Sequence, residues 1–218
     1  MRTKKALMNM SFSLVYQVIA IICGLITPRL ILSKFGSTYN GVIASATQFL
    51  NMISVLTLGI TGATRVQLYK TLSKNDNLGT SRIMKATQQY MRKVGLAVVL
   101  YAVVLSVVYS LVAKNELSYV ENSAIVIIVS IATFAQYFFG ISNTTLLTAD
   151  QSSYIVDILN TIKIIVNTLC VAVLIKCNAS IFVVKLGSSI VFLVAPLILD
   201  IYVRRKYRLA KECVPGES

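Results

Sequence analysis

The 218-residue chain has no histidine, no tryptophan, three prolines and eight acidic residues against 21 basic ones. Without histidine it lacks the one side chain that ordinarily titrates near neutrality, and the commonest metal ligand as well. No Ser/His or Cys/His pair, metal-ligand cluster or glycine-rich phosphate loop can be assembled from what remains. Neither an enzyme nor a bound cofactor or metal is therefore expected. The four cysteines add nothing to that chemistry: Cys23 and Cys170 lie in apolar runs, Cys177 at a helix end and Cys213 in the basic tail. None has zinc-site or redox-motif spacing, and Cys170 and Cys177 are two turns apart, about 10 Å along a helix and beyond disulfide reach.

Charge is scarce too, at 13% of residues, whereas 56% are hydrophobic and the mean hydropathy is +0.74. No charge occurs for 23 residues between Lys5 and Arg29, nor for 30 residues between Lys34 and Arg65. A bilayer core about 30 Å thick is crossed by roughly 20 apolar helical residues, so each run is long enough. The expected fold is all-α: a polytopic membrane protein with six transmembrane helices. The spans fall at about 8–32, 39–64, 92–113, 122–147, 154–175 and 180–202, with charges and turn residues as punctuation. They form one lobe over residues 1–203, followed by a basic tail or connector at 204–218. The first run is too long for a signal peptide and carries no small-x-small cleavage site, so it counts as a span.

Fifteen basic residues collect before span one, between spans two and three and in the tail, while Arg29, Lys34, Lys114 and Lys176 lie on the other side. The positive-inside rule then makes both termini cytoplasmic. Basic residues gathered at membrane ends meet anionic lipid, so membrane lipids are expected partners and nucleic acid is not. In the long loop Ile83, Met84, Thr87, Tyr90, Met91 and Val94 recur at helical spacing, which predicts an amphipathic helix on the inner leaflet leading into span three.

Polar residues inside the spans carry the functional signal. Ser153, Asp157, Asn160, Lys163 and Asn167 recur at spacings of three and four and share one strip of span five. Lys163 lies about nine residues, roughly 14 Å, from the inner end. A cation facing lipid at that depth costs at least ~2.5–3.5 kcal/mol, so it is expected to face protein or water. Span one adds Asn9, Ser13, Tyr16, Gln17 and Thr27. Span two adds Asn40, Thr47, Asn51, Ser54, Thr61 and Arg65, and span four Thr133, Gln136 and Asn143. The hydroxyls alone are explained by close packing, as at Gly41-x-x-x-Ser45 and Gly59-x-x-x-Ala63. Amides and lysines on several helices point instead to a solvated cavity, to which we assign Arg29, Asn51, Arg65, Asn160, Lys163, Asn167 and Lys185. Lys185 is also placed to snorkel outward, being about five residues from its helix end. Asp157 is the coupling candidate. Asp150 falls in a loop, and Asp200 is expected to pair with Arg204 one turn on. The excess of cations favours an anionic cargo such as a phosphate or pyrophosphate.

The stretch Pro28-Arg29-Leu30-Ile31-Leu32-Ser33-Lys34-Phe35-Gly36, then Asn40-Gly41, Thr47-Gln48-Phe49-Leu50-Asn51, Leu58-Gly59-Ile60 and Arg65-x-x-Leu68-Tyr69, resembles the start of the bacterial polysaccharide-biosynthesis flippases. These form the oligosaccharide-flippase branch of the multidrug/oligosaccharidyl-lipid/polysaccharide exporter superfamily. Phe35-Gly36 is read as a sharp turn at the outer surface, and Gly41 and Gly59 as points of close helix approach. The resemblance implies a carrier in the bacterial cytoplasmic membrane that moves an undecaprenyl-pyrophosphate-linked oligosaccharide to the outer leaflet, with Arg29 matching the Pro-Arg position. It covers only the first lobe of a twelve-to-fourteen-helix fold, so the expected partner is a missing second lobe or a second copy of the chain. A chain that is part of a longer protein is the expected case. The alternatives are a cation-coupled multidrug exporter of the same superfamily, which would want an acid in span one, and a non-transporting membrane subunit.

Overall fold

The computed structural model describes residues 2–113 and 116–207, apart from the side chains of residues 2–4 and 56. Lys114, Cys213 and the tail beyond Tyr207 lie outside the described residues. Seven α-helices follow one another: α1 Arg2–Asn51, α2 Ser54–Ser73, α3 Asn77–Val112, α4 Tyr119–Ala135, α5 Ile141–Ala149, α6 Ser153–Lys176 and α7 Ile181–Tyr207. A π turn, Gln136–Gly140, joins α4 to α5, and no strand occurs among the described residues. Among the described residues five apolar stretches are long enough to span a membrane: Lys5–Asn51, Asn77–Val112, Tyr119–Ala149, Ser153–Lys176 and Ile181–Tyr207. The chain is built as a helical multi-pass membrane protein.

The first of these stretches is two passes, because α1 breaks at Gly36, whose φ of 86° and ψ of 175° only glycine adopts readily. Thr27 and Thr47 would stand about 30 Å apart on a straight helix, yet they line the same cavity, so the chain reverses at Gly36 as its sequence predicts. Local chemistry ends the other helices. Asn75, Asn178 and Gln151 take positive φ after α2, α6 and α5. The Asp76 side chain caps α3, and Ser118 with Glu121 forms a reciprocal capping box on α4.

Two apolar clusters hold the bundle above and below its middle. Ile31, Val42, Ile43, Ile125, Val171 and Val184 close the end that carries Gly36. Leu68, Met84, Leu146, Leu147, Leu199 and Val203 close the end that carries both described termini. The outward faces remain apolar, with Leu25 71% and Val120 72% exposed, as a lipid solvent requires.

Three expectations need correction. Span two does not run unbroken from 39 to 64: it is interrupted at Met52 and Ile53, then continues as α2 to Ser73. The amphipathic segment does not lie on the bilayer. It is the first part of a continuous α3, and Met84, Thr87 and Met91 are buried in the bundle, Met84 packing against α2 and α5. Most of its stripe is taken up by helix packing: Ile83 and Val94 are partly buried as well, and Tyr90 stays exposed. Gly41 and Gly59 are not close-approach points, since a Cβ at either would meet nothing within 4 Å. That role falls to Gly187, where a Cβ would stand 2.9 Å from Leu174, and to Gly95, where it would stand 3.2 Å from Phe138.

Candidate functional site

Between the two clusters lies a cavity of about 570 Å³, in the size range of pockets that hold drug-sized ligands. One wall comes from α6 and α7: Lys163 and Asn167 from the first, Lys185, Ser188, Ser189 and Phe192 from the second. The rest of the lining includes Thr27, Thr47 and Asn51 of α1, Ser54 of α2, Thr133 of α4, and Gln136 and Tyr137 of the π turn. Among the described lining residues there is no carboxylate and there are two lysines. A second, smaller space of about 70 Å³ adjoins it, bounded by Asn160, Thr144, Gly140 and Pro196, and Gln136 and Lys163 line both.

The polar strip of span five explains why α6 contributes as it does. Lys163 donates to the side-chain oxygen of Asn160 at 2.8 Å, one turn back, and its ammonium stands 5.2 Å from the centre of the Phe192 ring. Ser188 donates to the Asn167 side-chain oxygen, tying α7 to α6 at the cavity wall. Lys185 makes no hydrogen bond, ion pair or ring contact among the described residues. It turns into the cavity, where three ammonium donors lack a protein acceptor.

The structure therefore brings Asn51, Lys163, Asn167 and Lys185 into one cavity and sets Asn160 in the adjoining space. Arg29 and Arg65 are exposed and belong to neither lining. Asp157 also lies outside both; its backbone carbonyl accepts from Thr161 one turn on. The expected Asp200–Arg204 pair forms at 2.7 Å, and Asn143 adds a 2.9 Å hydrogen bond to Asp200. Asn9 serves the fold and not the cavity: its amide donates to the Gln151 carbonyl at 3.0 Å and its oxygen accepts from the Tyr154 backbone at 2.9 Å. Most threonines bond back to their own helix, as Thr47 does to Ile43 and Thr61 to Thr57, which uses their single donor locally.

Gln136 and Thr133, visible in the sequence as span-four polar residues, belong to the site more fully than either arginine. The signal was present in their residue type, but the π turn that aims Gln136 leaves no mark in residue spacing. Comparison of the chain with protein-family models, curated proteins and solved structures finds no match.

Proposed function

We propose that the chain is a lobe of a carrier that moves an anionic, lipid-linked oligosaccharide across the bacterial cytoplasmic membrane for polysaccharide synthesis. A second lobe or a second copy completes it, and both ends of the chain face the cytoplasm. One observation carries the reading: among the described residues, the lining of the mid-bundle cavity presents two lysines and no carboxylate, along with a series of amides and hydroxyls. A buried cation without a counter-charge is costly in a bilayer, and an anion entering the cavity relieves that cost. Phosphate or pyrophosphate supplies the charge, and sugar hydroxyls match the neutral polar groups. The resemblance of the Pro28–Gly36 stretch to the oligosaccharide flippases agrees with this cargo, and the acid-free first helix separates it from cation-coupled drug exporters.

The test is glycan export in cells that depend on the chain. Lys163→Ala and Asn160→Ala are expected to abolish or strongly reduce export at unchanged protein level. Export at the wild-type rate in both variants would make the chain a non-transporting membrane subunit.

A further inference from the structure

The described lining of the cavity divides chemically by helix. Both cations lie on α6 and α7, whereas α1, α2, α4 and the π turn contribute only neutral groups. Among the latter Gln136 is unusual. Its side chain is exposed to the cavities although its neighbours Ala135 and Tyr137 are buried, and its amide makes no hydrogen bond among the described residues. One donor pair and one acceptor thus face the ligand space, a set that matches two adjacent hydroxyls, each able to donate and accept.

Its position is built by local backbone. The π turn widens the helix by one residue over Gln136–Gly140 and closes on a glycine. A Cβ at Gly140 would stand 2.9 Å from the Gln136 side-chain oxygen and 3.0 Å from its amide carbon, so the amide rests on the hydrogen-only face of that glycine. Only the far end of a flexible side chain would have to move, and a methyl at 140 displaces the amide without disturbing the bundle.

We propose that Gln136 is a specificity-determining residue that reads hydroxyls of the sugar next to the charged group, with Gly140 as its positioning residue, while Lys163 and Lys185 read the charge. This rests on the anionic-cargo reading above and adds a division of labour between the two sets of lining residues. A charged group without sugar then uses one set, and a sugar phosphate uses both.

Two soluble probes separate these contributions: inorganic pyrophosphate and a hexose 1-phosphate, titrated against the purified chain in detergent by calorimetry. Gln136→Ala is expected to leave pyrophosphate affinity within about twofold and to weaken the hexose phosphate about three- to tenfold, the loss of one or two neutral hydrogen bonds. Gly140→Ala is expected to give the same selective loss, and the double variant no more than either alone. Lys185→Ala is expected to weaken both probes. Equal losses for the two probes in Gln136→Ala, no loss for either, or additive effects of Gln136→Ala and Gly140→Ala would overturn the assignment while leaving the anion reading intact. Failure of the wild-type chain to bind pyrophosphate would overturn both.

Discussion

Tyr207, at the end of α7, donates its hydroxyl to the Asp150 carboxylate at 2.7 Å, joining the last described turn to the loop between α5 and α6. Lys206 and Lys5 stand 3.6 and 3.7 Å from the same carboxylate oxygen, and Ser152 donates to it at 2.9 Å. One carboxylate thereby gathers both described ends of the chain.

Burial pushes the Asp150 carboxyl up, but hydrogen bonds from Tyr207 and Ser152 and the charges of Lys5 and Lys206 together outweigh it and hold it below its usual value. A folded value below the unfolded one, about 3.9, means that the stabilisation is complete above that value and is lost as pH falls through the folded one. Thermal unfolding in detergent should therefore show Asp150→Asn melting lower than wild type at pH 7, by about 2–4 °C for each kcal/mol lost. The gap should narrow below pH 4. A constant gap from pH 7 to pH 3 would exclude this linkage.

Gly36 should tolerate no side chain, although nothing lies within 4 Å of where its Cβ would be. The cost is purely one of backbone, about 1–3 kcal/mol for Gly36→Ala. Urea or thermal unfolding of the purified variant measures it, and a neutral result would mean that the chain reverses by another route.

The other glycines should sort by contact and not by motif. Gly41→Ala and Gly59→Ala meet open space and gain helix propensity, so they are expected to be neutral or stabilising by up to about 1 kcal/mol. Gly187→Val presses on Leu174 and Cys170 between α6 and α7, and is expected to cost about 1–3 kcal/mol. The reverse order in a melting series would put helix contacts at Gly41 and Gly59.

The two lysines should differ in stability while agreeing in function. Lys185→Met removes a cation that has no partner among the described residues, and is expected to leave the melting temperature unchanged or raised. Lys163→Met takes a donor from Asn160 and is expected to cost about 1–3 kcal/mol. Export should fall in both. A Lys185→Met chain that exports normally would remove that lysine from the site.

Much of this architecture was legible in the sequence because lipid imposes few solutions. Charge-free runs gave the passes, Gly36 gave the reversal, and the 100° strip from Ser153 to Asn167 put Lys163 and Asn167 in the cavity wall. Short-range chemistry served equally well at Asp200 and Arg204. The failures share one cause, which is that spacing along the chain does not say what a face will meet. The stripe from Ile83 to Val94 has the pattern of a surface helix, yet α2 and α5 were available to cover it. Gly41 and Gly59 have the spacing of a packing motif but no neighbour. No residue type at Met52 and Ile53 announces the interruption there, nor does one at Gln136 announce the π turn. Arg29 was placed by its charge and its Pro-Arg position and Arg65 by its charge, and both are exposed outside the cavity lining.

Under the proposed function the cavity selects negative charge attached to a lipid-borne glycan. The most direct measurement of that selectivity is equilibrium binding of the chain, reconstituted in nanodiscs, to a polyprenyl-pyrophosphate oligosaccharide and to the same oligosaccharide on an uncharged polyprenyl ether. At least tenfold tighter binding of the pyrophosphate form is expected, reduced to near equality in the Lys163→Ala/Lys185→Ala double variant. Equal affinity for the two lipids in the wild-type chain, or a preference that survives loss of both lysines, would contradict it.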